Sequence, residues 1–332
     1  MVLSFSHRVA LSALVIGSSI ALAAGCGTDP QVDSGSDSGS DSDSDSGGDS
    51  DSDSDSDVAD SDGFGDDGVD AGGGGPVGNG NPEICDGIDN NADGLIDNID
   101  AGGDGICDCL NIGTIGNIGP WGEGNIFATW LNERSPIPAR EIANGELTAD
   151  AIKGLDVIVV LRADTAELNG EDAHHAFSTD EVGVLNGWVR AGGGLMTTIG
   201  YQGNETAEMV NVNKLLAAFD LGYASPSVEP GDFADDWDQT HPIGDGVELI
   251  NIDNGAQPDT TNGVVVARSG SNPAMVVDTP DDGRVIVWGD EWITYNSEWT
   301  DENQQVERLW LNMIKWMSPP QRCQVPIPPG VN

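Results

Sequence analysis

Basic side chains are nearly missing from this chain: 12 Lys and Arg stand against 57 Asp and Glu, for a net charge of −45. The deficit is not confined to one tail, because 11 basic and 33 acidic residues remain from Cys109 onward, a balance of −22. Simple repulsion therefore disfavours nucleic acid and anionic membrane surfaces as partners and leaves cations attracted. Long apolar runs are lacking as well. The one candidate, Val9–Ala24 behind Arg8, is short of the ~20 residues a membrane-spanning helix needs, and its flanks are those of a signal peptide. Residues 27–81 contain no Lys or Arg and no apolar period, only Ser-Asp alternation running into Gly72–Gly75. No core can form there, so the segment is expected to be a disordered, self-repelling tether. A neutral coil of that length would span about 40 Å, and a fully stretched one about 180 Å.

Turning to what is present, Ala23-Ala24-Gly25-Cys26 resembles a bacterial lipobox. The resemblance implies cleavage after residue 25, acylation of Cys26 and anchoring in lipid. Gly27, where Asp would favour inner-membrane retention, directs the expectation to the outer membrane. Export permits disulfides. With Cys26 set aside, Cys85, Cys107, Cys109 and Cys323 remain, and four cysteines allow three pairings. Cys107 and Cys109 are too close to pair with each other, so Cys85 is expected to join one of them and Cys323 the other. A zinc site is disfavoured by the C-x-C spacing.

Residues 82–108 carry the strongest motif. Asp89, Asn91, Asp93, Asp97 and Asp100 fall at positions 1, 3, 5, 9 and 12 of a loop with Gly94 at position 6. That is the calcium-loop spacing, with the Leu95 carbonyl as the position-7 donor. Asp100 replaces the usual Glu and has a shorter arm. The phrase CDGIDNNADGLID also resembles the metal-binding motif C-D-G-x-D-N-N-C-D-G-x-[VI]-D of bacterial surface proteins, including MopE-type copper-associated ones. It departs at Ala92, where the motif has its second Cys, and at Asn98, where an acid is common. Calcium is the expected ion. Copper is disfavoured because the loop offers oxygens and no His, Met or free thiol.

From Leu110 the pattern alternates between strand and helix. Strands are expected at Leu110–Ile115, Ala139–Ile142, Asp156–Leu161, Leu195–Ile199 and Arg284–Trp288. The run DVIVVL is apolar throughout, as in a parallel strand buried on both faces. Helices are expected near Asn125–Arg134, from Thr179 to Gly192, over Asn204–Phe219 and over about Glu302–Met317, with a helical turn at Leu147–Lys153. In the last, Val306, Leu309, Trp310, Met313 and Ile314 share one face and Pro319-Pro320 stops the helix. Val247–Ile252, Val264–Ala267 and Ala274–Val277 lack helices between them and should be antiparallel. The order argues a three-layer, doubly wound α/β domain with a mostly parallel, flavodoxin-like sheet over 109–318, followed by a tail, 319–332.

Over Leu110–Met317 the phrases LNGWVRAGGGLMTTIGY, THPIGDGV and GRVIVWGDEW resemble the class I glutamine amidotransferase-like superfamily, nearest to its trehalose-utilisation-type and other non-amidotransferase branches. The resemblance implies a nucleophilic Cys after the strand at Leu195–Ile199 and a His with an acid after Arg284–Trp288. Here Tyr201 stands where the thiol would be, and Asp290, Glu291 and Trp292 follow the late strand without a His. A thiolate nucleophile needs a basic partner, and neither half exists, so amidotransfer is not expected. A carboxylate pair could serve acid–base chemistry if Asp290 and Glu291 had split pKa values. A secreted glycan hydrolase is therefore one alternative, and a purely structural envelope protein is another.

The remaining features read more plainly. The glycine-rich run Gly113–Gly124 matches neither dinucleotide nor phosphate-loop signatures. His174 and His175, beside Glu171 and Asp172, would need a third metal ligand from elsewhere and read as a solvated loop; His241 reads as a structural turn residue. Trp188, Trp310 and Trp316 belong to helices, whereas Trp121, Trp237, Trp292 and Trp299 have polar surroundings. Trp292, Tyr295, Asn296 and Trp299 near Asp290, with Tyr201, form the cluster best suited to a carbohydrate ligand.

Overall fold

Val157–Val160 (β3) is buried at every position, and its neighbours in sequence turn alternately to two separate cores. A computed structural model describes residues 79–116, 123–134, 137–143, 145–163, 175–200, 207–227 and 232–331. Cys26, the tether up to residue 78, Trp121, Glu171, Asp172, His174 and Tyr201 lie outside them. β3 pairs in parallel with Ile112–Ile115 (β1) and with Gly194–Thr197 (β4). β1 takes Arg140–Glu141 (β2) on its other side, and β4 takes Arg284–Trp288 (β12), again in parallel. The parallel order β2-β1-β3-β4-β12 is the flavodoxin-like winding. The sheet then continues antiparallel through Asn272–Asp278 (β11), Val264–Ser269 (β10) and Asp236–Trp237 (β7), for eight strands among the described residues.

Helices cover both faces. Asn125–Glu133 (α1) and Val306–Met317 (α5) bury Phe127, Trp130, Leu131, Leu309, Trp310 and Met313 against Val157, Val159, Met196 and Trp288. Thr179–Arg190 (α2) and Ala207–Leu216 (α3) bury Leu185, Val189, Val212 and Leu215 against Ile158, Val160, Leu195 and Val287. A capping box starts α2: Ser178 Oγ accepts the Glu181 amide while Glu181 Oε2 accepts the Ser178 amide. A short helix, Asn296–Thr300 (α4), precedes α5.

Two expectations need correction. α5 begins at Val306 rather than Glu302, because the Gln304 and Gln305 side chains are taken by neighbouring backbone and carboxylate groups. Residues 247–249 form no strand. The amides of Glu248 and Leu249 both donate to Gln305 Oε1 at 2.8 Å, and only Ile250–Ile252 (β8) extends, pairing with Asp232–Ala234 (β6) outside the main sheet. A second such ribbon joins Tyr223–Ser227 (β5) to Ala256–Pro258 (β9). The helical turn expected at Leu147–Lys153 is present, with the Ile152 amide donating to the Thr148 carbonyl at 3.1 Å. No helix among the described residues is long and apolar enough to cross a membrane.

Candidate functional site

In this winding, ligands lie beyond the C-terminal ends of the parallel strands, where the order reverses between β1 and β3. There the backbone closes on itself. Gly116 has φ +85°, and a Cβ on it would lie 2.1 Å from the Arg162 carbonyl oxygen, so only glycine fits. The first turn of α3 ties the neighbouring strand ends together. Glu208 Oε1 accepts the Ala163 amide after β3, and Oε2 accepts the Gly200 amide after β4, both at 3.1 Å. Asn211, one turn on, accepts the Phe177 amide and donates to the carbonyls of Ala163 and His175.

The carboxylates after β12 are buried in the same way. Asp290 is fully buried; its Oδ1 accepts the Glu291 amide at 2.7 Å and its Oδ2 the Asp253 amide at 3.0 Å. Burial, reinforced by Glu291 next door, pushes the Asp290 carboxyl well above the usual range, and the amides of Asp253, Glu291 and Trp292 pull it back only partly. Glu291 Oε1 accepts the Tyr295 hydroxyl at 2.8 Å, and burial together with Glu291 raises that phenol. The Glu291 carboxylate also lies against Gly200, where an added methyl would come within 2.9 Å of it. Tyr223 bridges strand ends, its hydroxyl 2.8 Å from the Trp288 carbonyl and 2.9 Å from Thr197 Oγ1.

The residues expected to hold a sugar are distributed among structural tasks. Asn296 caps α1, accepting the Ile126 amide and donating to Asn125 Oδ1. Trp299 donates to the Ile293 carbonyl and packs 5.2 Å from Trp130 and 5.8 Å from Phe127, so much of it joins the aromatic core. It also lines a cavity of about 730 Å³ with Arg134, Glu298, Asp301 and Glu307. Trp292 is half-buried and stacks on Tyr295 at 5.7 Å. Trp237, whose sequence neighbours are polar, is buried, donates to the Ala234 carbonyl and stacks on Trp288. His241 accepts the Ile243 amide in its turn, as a structural residue would. His175 corrects the solvated-loop reading, being 1% exposed and packed 4.8 Å from Phe177.

At the opposite end of the sheet sits the acidic loop. Asp89 accepts the amides of Asp93 and Gly94 through its two oxygens, Asn91 Oδ1 accepts the Asp93 amide, and Asp93 Oδ1 accepts the Leu95 amide. The chain thus turns sharply about Gly94, whose φ is +93°. The Leu95 amide, helped by Asn98 and Asn91, holds the Asp93 carboxyl below its ordinary value. Asn98 donates to Asp93 Oδ2, while its own buried Oδ1 has no partner. Asp97 is used differently. It is fully buried, its Oδ1 accepts the Asp86 and Gly87 amides, and its Oδ2 pairs with Arg322 Nε at 2.8 Å. Asp100 accepts the amides of Asp104 and Gly105, which repeats the Asp89 turn eleven residues on; Asp104 then accepts the Ile106 amide as Asp93 accepts that of Leu95. Sequence reading passed over this second turn although D-x-x-x-D-G-[LI]-x-D occurs twice, at Asp89–Asp97 and Asp100–Asp108.

The loop is fastened to the tail. Disulfides join Cys85 to Cys109 and Cys107 to Cys323, a pairing of the expected kind. Ile96 bridges Arg322 through backbone hydrogen bonds to Gln321 and Cys323. Arg322 Nη1 also pairs with Asp156 at the start of β3, at 2.5 Å. Beside this joint is a cleft of about 700 Å³ lined by Leu155, Trp188, Arg284 and Pro320.

No family model matches the chain, and no curated protein matches it. Among solved structures, the mmIFT52 N-terminal domain is similar at 13% identity over 63% of this chain and 97% of that one, with a TM-score of 0.50; this likeness concerns the fold alone. Lower-scoring likenesses, from which nothing further follows, include a ThuA-like protein from Bacteroides uniformis and a GMP synthase-type protein from Thermoplasma acidophilum. Both are 12% identical with a TM-score of 0.39, and they cover 63% and 62% of this chain and 90% and 92% of their own lengths.

Proposed function

We propose that the protein is a non-catalytic surface lipoprotein, anchored in the outer membrane through acylated Cys26. Its acidic tether carries a calcium-stabilised clamp and an amidotransferase-like domain that binds a carbohydrate or other extracellular ligand. The observation that carries the non-catalytic reading is the state of the carboxylates at the C-terminal sheet edge. Asp290 is spent on backbone amides and Glu291 on the Tyr295 phenol, and Asp290 is sealed from solvent. An acid or base must come within hydrogen-bond reach of a substrate proton, which a fully buried Asp290 does not. Calcium is proposed at Asp89, Asn91, Asp93 and the Leu95 carbonyl, with Asp97 and Asp100 flanking. The donors are hard oxygens on a chain that turns about Gly94. Copper is not proposed, since all four flanking cysteines are in disulfides.

Screening the mature protein against glycans, alongside its Asp290→Asn variant, tests the reading. Saturable binding with no turnover is expected. Turnover that disappears in a folded Asp290→Asn protein would instead establish a hydrolase, and neither binding nor turnover would leave a structural envelope protein.

A further inference from the structure

His175 is a buried titratable group that no part of the proposed function uses. Its side chain has no solvent exposure and neither ring nitrogen has a hydrogen-bond partner. Nε2 lies 3.3 Å from Glu181 Oε1, which is itself buried and also lacks a hydrogen bond. The rest of the neighbourhood is a fastening. The other oxygen of Glu181 completes the capping box with Ser178, the His175 carbonyl accepts Asn211 Nδ2 at 2.8 Å, and the Phe177 amide donates to Asn211 Oδ1 at 3.0 Å. Residues 175–178 therefore hold the start of α2 against α3. Among the described residues, Glu181 on α2 is the charged group facing the ring, and α3 presents the neutral amide of Asn211.

We propose that the His175–Glu181 contact is an acid-sensitive latch, closed at neutral pH and released on acidification, that fastens residues 175–181 to α3. Burial disfavours the imidazolium more than Glu181 favours it, so the proton is taken up less readily in the closed form than in the open one. For a histidine depressed in the closed state, stability is full above the open-state value of about 6.5 and falls as pH drops through it. One differential proton changes the opening equilibrium by up to about tenfold per pH unit below that point.

Amide hydrogen exchange over residues 175–182 of the mature protein, corrected for intrinsic rates, reads this directly. Opening should rise severalfold between pH 6.5 and 5.5 in the wild type and stay flat in His175→Phe. A merely structural role would shift opening equally at every pH, and parallel profiles for the two proteins would overturn the latch. Should His175→Phe fail to fold, titration of the His175 ring by NMR in the unaltered protein decides. A midpoint below about 6.5 supports the proposal, and one at or above it refutes it.

Discussion

Replacing Cys107 and Cys323 together with alanine is expected to lower the unfolding free energy by up to about 5 kcal/mol on a chain-entropy estimate. The bond closes a loop of sequence separation 216, against 24 for Cys85–Cys109, for which the same estimate is about 3.5 kcal/mol. Domains of ordinary stability have roughly 5–15 kcal/mol in total. Losing the long-range bond alone would therefore remove a large share of it. Both sulfurs are buried, and the tail beyond Pro319 contributes Val325 to the core, so releasing Cys323 loosens packing as well as chain ends. Urea midpoints of the two double variants provide the check. The 107/323 pair should fall further than the 85/109 pair, and the reverse order would mean that the tail does not hold the domain together.

Arg322→Ala is expected to destabilise by about 2–4 kcal/mol, somewhat under the usual range for removing one partner of a buried pair, because Arg322 is a third exposed. The substitution strips two carboxylates at once. Asp97, fully buried, would keep only the Asp86 and Gly87 amides, and Asp156 would keep only Asn111. Burial alone would push Asp97 up, but the Gly87 amide and Arg322 outweigh it and hold the carboxyl below its ordinary value. A depressed carboxylate contributes stability that is present above its unfolded value of about 3.8 and is lost as pH falls through its folded one. Without Arg322 the folded-state value rises toward the unfolded one, so this acid loss shrinks and the variant's deficit narrows as pH falls below about 4. Asp156, which burial already pushes upward against the pull of Asn111 and Arg322, would shift the same way. Urea melts from pH 7 to pH 3 show both effects, and superimposable wild-type and variant curves would rule out a structural role for the Asp97–Arg322–Asp156 bridge.

Much of the domain was legible because its signals are local. The apolar runs of β3, β4 and β12 and the one-faced spacing of α5 each declare their burial within a few residues. The short strands β5, β6, β7 and β9 carry no such pattern; their pairing depends on partners far along the chain. The acidic loop shows the same division. Its turn about Gly94 follows from the spacing of Asp89, Asn91 and Asp93. That Asp97 would leave the loop's oxygen set for Arg322 could not be read, since the two lie 225 residues apart. His175 misled for a related reason. Its immediate neighbours are polar, and only Phe177 and the returning helix α3 bury it. At the upper edge, Asn296 and Trp299 looked like ligand groups in a polar stretch and are drawn instead into capping α1 and filling the aromatic core.

The most direct test of the account is a calcium titration of thermal unfolding on the mature protein. Extracellular calcium modules bind with dissociation constants near 10⁻⁴–10⁻³ M, so 10 mM calcium should stabilise the folded state by about 1.4–2.7 kcal/mol. That corresponds to a rise in Tm of roughly 3–10 °C. Asp93→Ala should abolish the rise, starting from a calcium-free Tm lowered modestly by the loss of the acceptor for the Leu95 amide and Asn98. A wild-type melting curve indifferent to calcium, or an equal rise in Asp93→Ala, would contradict the claim that this loop is a calcium clamp.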